Sequence, residues 1–144
     1  ALVQANQHHL AWSAIAASAG LNVVQVGVGL TMFGPFFEVA GAAETMAPAA
    51  TAVVAFSFMV YNAAKVLLAL ALIVFALSKL NSGSRGLGGV SAAVAFLALV
   101  ANTASMAMGR DVFGELPLAG ASGVLATLLL AVSVMSLPKE DPSP

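Results

Sequence analysis

No cysteine occurs in the 144 residues. Disulfides, thiolate metal sites and cysteine nucleophiles are therefore excluded. Charge is nearly as scarce: Asp, Glu, Lys and Arg make up 8% of the chain, against about 25% in a soluble domain. Five basic residues stand against six acidic ones, which leaves no basic face for nucleic acid. The two histidines, His8 and His9, are adjacent and point about 100° apart on a helix, so they cannot form the i, i+4 pair that binds zinc. No metal site of the chain's own is expected. A Ser-His-Asp set, a phosphate loop, an HExxH pattern and a haem-attachment pattern are all missing, as are paired intramembrane carboxylates, and an enzyme is not expected.

What is present is hydrocarbon. Sixty per cent of the residues are hydrophobic and the mean hydropathy is +1.00. Thirty residues from Thr51 to Leu80 carry one charge, Lys65, before Lys79. A run of that length is read as a membrane-spanning helix. The same reasoning gives four spans, at about 10–33, 48–79, 87–109 and 117–137. The fold class expected is an all-α integral membrane protein, a four-transmembrane-helix bundle in one domain, with a mobile tail over 138–144. Gly34-Pro35 is read as the stop of the first span, because proline lacks a donor and biases its predecessor away from helix. Pro48 and Pro117 suit the first turns of the second and fourth spans. The polar stretch Ala1 to His9 lacks Lys and Arg; it is read as the mature end left by removal of a targeting peptide.

Small and polar residues mark the faces expected to meet other helices, since close backbone approach replaces hydrophobic drive in lipid. In the third span Ser91, Ala95, Ala98, Asn102, Ser105 and Gly109 share one arc. The first span has two such faces: Ser13, Ala16, Gly20, Gly27, Thr31 and Gly34 on one side, Ser18, Asn22, Gln25 and Gly29 roughly opposite. It is therefore expected inside the bundle. Phe33, Phe36 and Phe37 read as an interfacial anchor.

Topology is set by the basic residues. Lys79, Arg85 and Lys139 flank the second connection and the carboxyl terminus, whereas Arg110 lies among Asp111 and Glu115, and the first connection carries only Glu38 and Glu44. Both termini are expected on the basic, non-translocated side. Lys65, Asn22, Gln25, Tyr61, Asn62 and Asn102 are the intramembrane polar groups. Counting rise per residue from Lys79 puts Lys65, Gln25, Asn102 and Tyr61 near one layer toward the acidic side, with Lys65 reaching for Glu38, Asp111 or Glu115.

The function expected from these features is that of a non-catalytic accessory or structural subunit of a large multi-subunit membrane complex, its partners being other integral membrane subunits and lipid. A photosynthetic complex of the thylakoid (a photosystem or antenna) is favoured, with chlorophyll or carotenoid as pigment contacts of His8, His9, Gln25 and Asn102. A respiratory-complex subunit of the mitochondrial inner membrane comes next. A small channel or transporter using Lys65 is the alternative from a different class.

Overall fold

A computed structural model describes residues 2–137, with side chains from His8 onward. Four helices succeed one another: α1 (Leu2–Ala42), α2 (Ala47–Asn81), α3 (Arg85–Met108) and α4 (Leu118–Met135), with a single 3₁₀ turn at Glu44–Met46. No strand occurs among the described residues. Each helix is long and apolar enough to cross a membrane, so the chain is an integral membrane protein with the four-helix architecture expected. The tail from 138 onward, with Lys139, lies outside the described residues.

α2 is the hub. It touches α1, α3 and α4; α3 and α4 also touch each other; α1 packs on α2 and the 3₁₀ turn alone. Three antiparallel seams hold these pairs, and the first two repeat every seven residues. In the first, Ala11, Ser18 and Gln25 of α1 run opposite Ala71, Ala64 and Ser57 of α2, with direct hydrogen bonds at the last two levels. In the second, Gly88 of α3 sits against Ala76 and Leu80 of α2, and the same register continues through Ala95 and Asn102 opposite Ala69 and Asn62. In the third, Asn102 reaches Ala119, and Ser91 and Ala98 run opposite Ser133 and Ala126. A seven-residue repeat keeps two helices in contact along their length when they wind gently about each other. Small side chains let the backbones come close enough for dispersion and hydrogen bonds to hold them.

The close approach is tightest at Gly88. A Cβ there would lie 2.9 Å from the Leu80 nitrogen and 3.0 Å from the Ala76 oxygen. The α2–α3 turn that precedes it requires Gly83, whose φ of +89° is one L side chains rarely adopt. The large core residues, Leu68, Leu72 and Phe75 of α2 and Leu130 of α4, fill the space between the seams. Phe75 also receives the edge of Trp12, with ring centroids 5.8 Å apart.

Two features of α1 differ from the sequence reading. It does not stop at Gly34-Pro35; Pro35 lies inside a 41-residue helix. A proline inside a helix costs about 3 kcal/mol; it weakens α1 without ending it, and α1 runs on past Pro35 to Ala42. Nor is α1 interior. Of its two candidate faces, the one with Ser18, Asn22, Gln25 and Gly29 packs on α2, while Ser13, Ala16, Gly20, Thr31 and Gly34 are exposed.

The helix ends are flush on the basic side and staggered on the acidic one. Lys79 of α2 donates to the Ser136 carbonyl at the end of α4, and His8 of α1 stacks on Phe75. These contacts bring the start of α1, the α2–α3 turn and the end of α4 to one end of the bundle, as the topology reading requires. α3 and α4, with 24 and 18 residues, are roughly 36 and 27 Å long, close to a ~30 Å hydrocarbon core. α1 and α2, with 41 and 35 residues, are roughly 60 and 50 Å. The excess stands beyond the α3–α4 loop as a two-helix hairpin.

Candidate functional site

The polar side chains form three groups at different depths. Lys65 is at the centre of the first. Its stem lies over Gly123, where an added Cβ would come within 2.9 Å of the Lys65 Cγ. Its Nζ donates to the Thr127 hydroxyl at 3.3 Å and lies 5.1 Å from the Tyr61 ring centroid. Thr127 in turn donates to the Gly123 carbonyl at 2.8 Å, which leaves its lone pairs for the ammonium. Thr127 is midway along α4, so Lys65 sits near the middle of the membrane rather than toward the acidic surface. Neither Glu38, Asp111 nor Glu115 reaches it; the one ion pair among the described residues joins Arg110 and Asp111 at the exposed surface. Counting from Lys79 locates the Lys65 backbone, whose stem passes Gly123 in the acidic half of α4, but the ammonium reaches one turn back toward the basic side, to Thr127. An ammonium has three protons to donate, and Thr127 takes one. The Tyr61 ring is the ammonium's other partner, and no carboxylate pairs with it among the described residues.

The second group belongs to the α1–α2 seam. Ser18 donates to the Ala64 carbonyl at 2.9 Å, the Asn22 amide donates to the Ser18 carbonyl, and the Gln25 amide donates to the Ser57 hydroxyl at 3.3 Å. Gln25 is thus level with Ser57, two helical turns from Lys65, and does not share its layer. The Asn22 bond stays within α1; the two that cross to α2, from Ser18 and Gln25, contribute about 0.6–2 kcal/mol each.

The third group lies at the acidic end. Asn102, with no exposure, donates to the Ala98 and Ala119 carbonyls. Its Oδ1 has no partner. Asn62 is 5% exposed and borders a cavity of about 280 Å³ beneath the α3–α4 loop, together with Tyr61, Ser105 and Arg110. The Arg110 guanidinium lies 5.4 Å from the Phe58 ring centroid.

Of the four residues expected to contact pigment, the structure gathers none into a common site. Asn102 is sealed between helices and Gln25 is engaged by Ser57. His8 stacks on Phe75 at 5.6 Å between ring centroids, and His9 is exposed. Lys79, in the sequence only a marker of topology, has a structural role as well. It is 8% exposed and closes the end of α4, where a cation meets the negative end of the helix dipole. Its place four residues from Phe75, on the packed face of α2, is the signal for that role.

The fold and the polar groups define an all-α membrane protein held by small-residue seams, with one lysine in its middle. The chain matches no protein-family profile, no curated protein and no solved structure.

Proposed function

We propose that this chain is a non-catalytic structural subunit of a larger membrane assembly. The observation that supports this is the α1–α2 hairpin. It extends past the α3–α4 loop, beyond what a ~30 Å core would cover if α3 and α4 set the span. Its surface exposes Leu30, Phe37, Val39 and Phe56, and its only charges are Glu38 and Glu44. A contiguous apolar surface outside hydrocarbon is a place for another protein. α1, with a single helical neighbour, has its outward side free to meet one. Within this class we favour a pigment-bearing photosynthetic assembly of a thylakoid, with a mitochondrial respiratory complex as the alternative. His9 is the side chain that chlorophyll magnesium could reach from outside. Co-purification in mild detergent tests the reading: partner subunits should accompany the chain, and Phe37→Glu with Phe56→Glu should release them. The absorbance of the recovered complex separates chlorophyll from haem or flavin. A chain that purifies alone from its native membrane would overturn the proposal.

Lys65 favours a second reading, a small channel or transporter. An ionisable group at the middle of the membrane, with no carboxylate paired to it among the described residues, suits an ion path. That reading requires flux in vesicles containing this chain alone, lost in Lys65→Met.

A further inference from the structure

At the acidic end of the bundle two spaces join. The cavity beneath the α3–α4 loop holds the Asn62 amide, which has no hydrogen-bond partner among the described residues although the residue is only 5% exposed. Ser105 lies beside it, and Arg110, Asp111 and Glu115 form its mouth. A second space, lined by Phe58, Asn62, Ser105 and Met106, continues from it down the outer groove between α2 and α3. There it becomes an apolar trough of about 500 Å³ lined by Ala63, Val66, Leu67, Thr103, Met106 and Ala107. Polar groups at the membrane surface and a hydrocarbon trough running inward from them are the two halves of an amphiphile site.

The charges decide which amphiphile. One guanidinium can pair with a phosphate, and guanidinium is the side chain best shaped to do so. Two carboxylates, Asp111 and Glu115, repel a headgroup of net negative charge and attract an ammonium. Phe58, Tyr61 and Phe113 line the same cavity and give the headgroup an apolar wall. We infer that this cleft holds a zwitterionic phospholipid carrying a primary ammonium. Its phosphate lies by Arg110 and Asn62, its ammonium by Asp111 and Glu115, and one acyl chain in the α2–α3 trough.

The inference does not depend on the subunit reading, because it concerns the chain by itself. To test it, the full chain is stripped of lipid in detergent and titrated with dioleoyl phosphatidylethanolamine or dioleoyl phosphatidylglycerol. Bound lipid is counted by native mass spectrometry. One phosphatidylethanolamine should bind about tenfold more tightly than phosphatidylglycerol, the size of one charge-assisted hydrogen bond. Asp111→Asn with Glu115→Gln, both at the exposed mouth, should remove that preference, and Asn62→Leu should weaken both lipids. Thr103→Trp, on the exposed side of α3, should fill the trough and weaken both lipids. Should Asn62→Leu fail to fold, Arg110→Gln at the exposed mouth takes its place. Equal affinity for the two lipids, tighter phosphatidylglycerol, or binding indifferent to Thr103→Trp would each overturn the inference.

Discussion

The Ser18 hydroxyl donates to the Ala64 carbonyl at 2.9 Å, and this bond fixes how α1 lies on α2. Both residues are fully buried. One level away Gln25 meets Ser57, so the seam is locked at two points, one seven-residue repeat apart. Ser18→Ala should keep the packing and lose about 1 kcal/mol. Ser18→Leu forces the helices apart and should lose more, about 1–3 kcal/mol. Unfolding in detergent micelles, monitored by circular dichroism, measures both. Equal stability of the leucine variant and the parent would show that the seam does not hold α1.

Gly88 makes a sharper test of close approach on the other side of α2. Its missing side chain is occupied by Leu80 and Ala76 backbone, which cannot move aside without parting the α2–α3 hairpin. Gly88→Val should destabilise the bundle by about 1–3 kcal/mol. Gly89→Ala, with nothing within 4 Å of the added Cβ, should be neutral or slightly stabilising because alanine favours the helix. The two glycines are neighbours, so the pair separates contact from propensity in one thermal comparison.

Lys79 should matter more than a surface lysine. Lys79→Ala removes the donor to the Ser136 carbonyl and should cost about 1–2 kcal/mol. Lys79→Arg should recover part of that. Hydrogen exchange localised to the last turn of α4 would show the loss where the cap acts; a uniform change across the chain would not fit a local role.

Lys65 is expected to behave in the opposite way. Its ammonium has a hydroxyl and an aromatic face but no carboxylate, and a charge at mid-membrane costs about 2.5–3.5 kcal/mol on insertion scales. Lys65→Met keeps the stem over Gly123 and removes the charge. The isolated chain should be as stable as the parent or more so. If a partner subunit supplies an acceptor, yield of the assembled complex should fall at the same time. A large loss of stability in the isolated chain would mean that Lys65 has a stronger internal role than the Thr127 bond.

The absence of cysteine makes α1 easy to probe. Single cysteines at Gly20, Thr31 and Gly34 fall on its exposed side. In native membranes these should cross-link to another polypeptide, and cysteines at Ala11 or Ser18 on the packed side should not. Cross-linking yields resolved by mass spectrometry read the difference.

The parts of this structure that can be read from sequence are those with one dominant face. Ser91, Ala95, Ala98, Asn102 and Ser105 form a single small-and-polar arc on an otherwise apolar helix, and all five are buried. α1 offers two such arcs, and periodicity alone does not rank them; only the complementary repeat on α2, from Ser57 through Ala64 to Ala71, selects the one with Ser18. Pro35 misleads because an interior proline costs about 3 kcal/mol but does not forbid a helix, and α1 runs on past it to Ala42. The surroundings of Lys65 are hidden for a geometric reason. Depth counted from Lys79 follows the backbone of α2, but the side chain of Lys65 runs from Gly123 back to Thr127, a turn nearer the basic side. The nearest helix is α4, whose Gly123 and Thr127 do not stand out among the chain's other small residues. The cleft around Asn62 is assembled from α2, α3 and the α3–α4 loop, and no local pattern announces it.

The single attachment of α1 has a bearing on how the protein is made. Everything α1 touches has been synthesised once α2 is complete, so the first hairpin can settle before the translocon receives α3. The second hairpin then adds to the opposite side of α2 without disturbing it. The outward flank of α1 stays bare of the chain's own helices throughout, from the earliest stage of biogenesis.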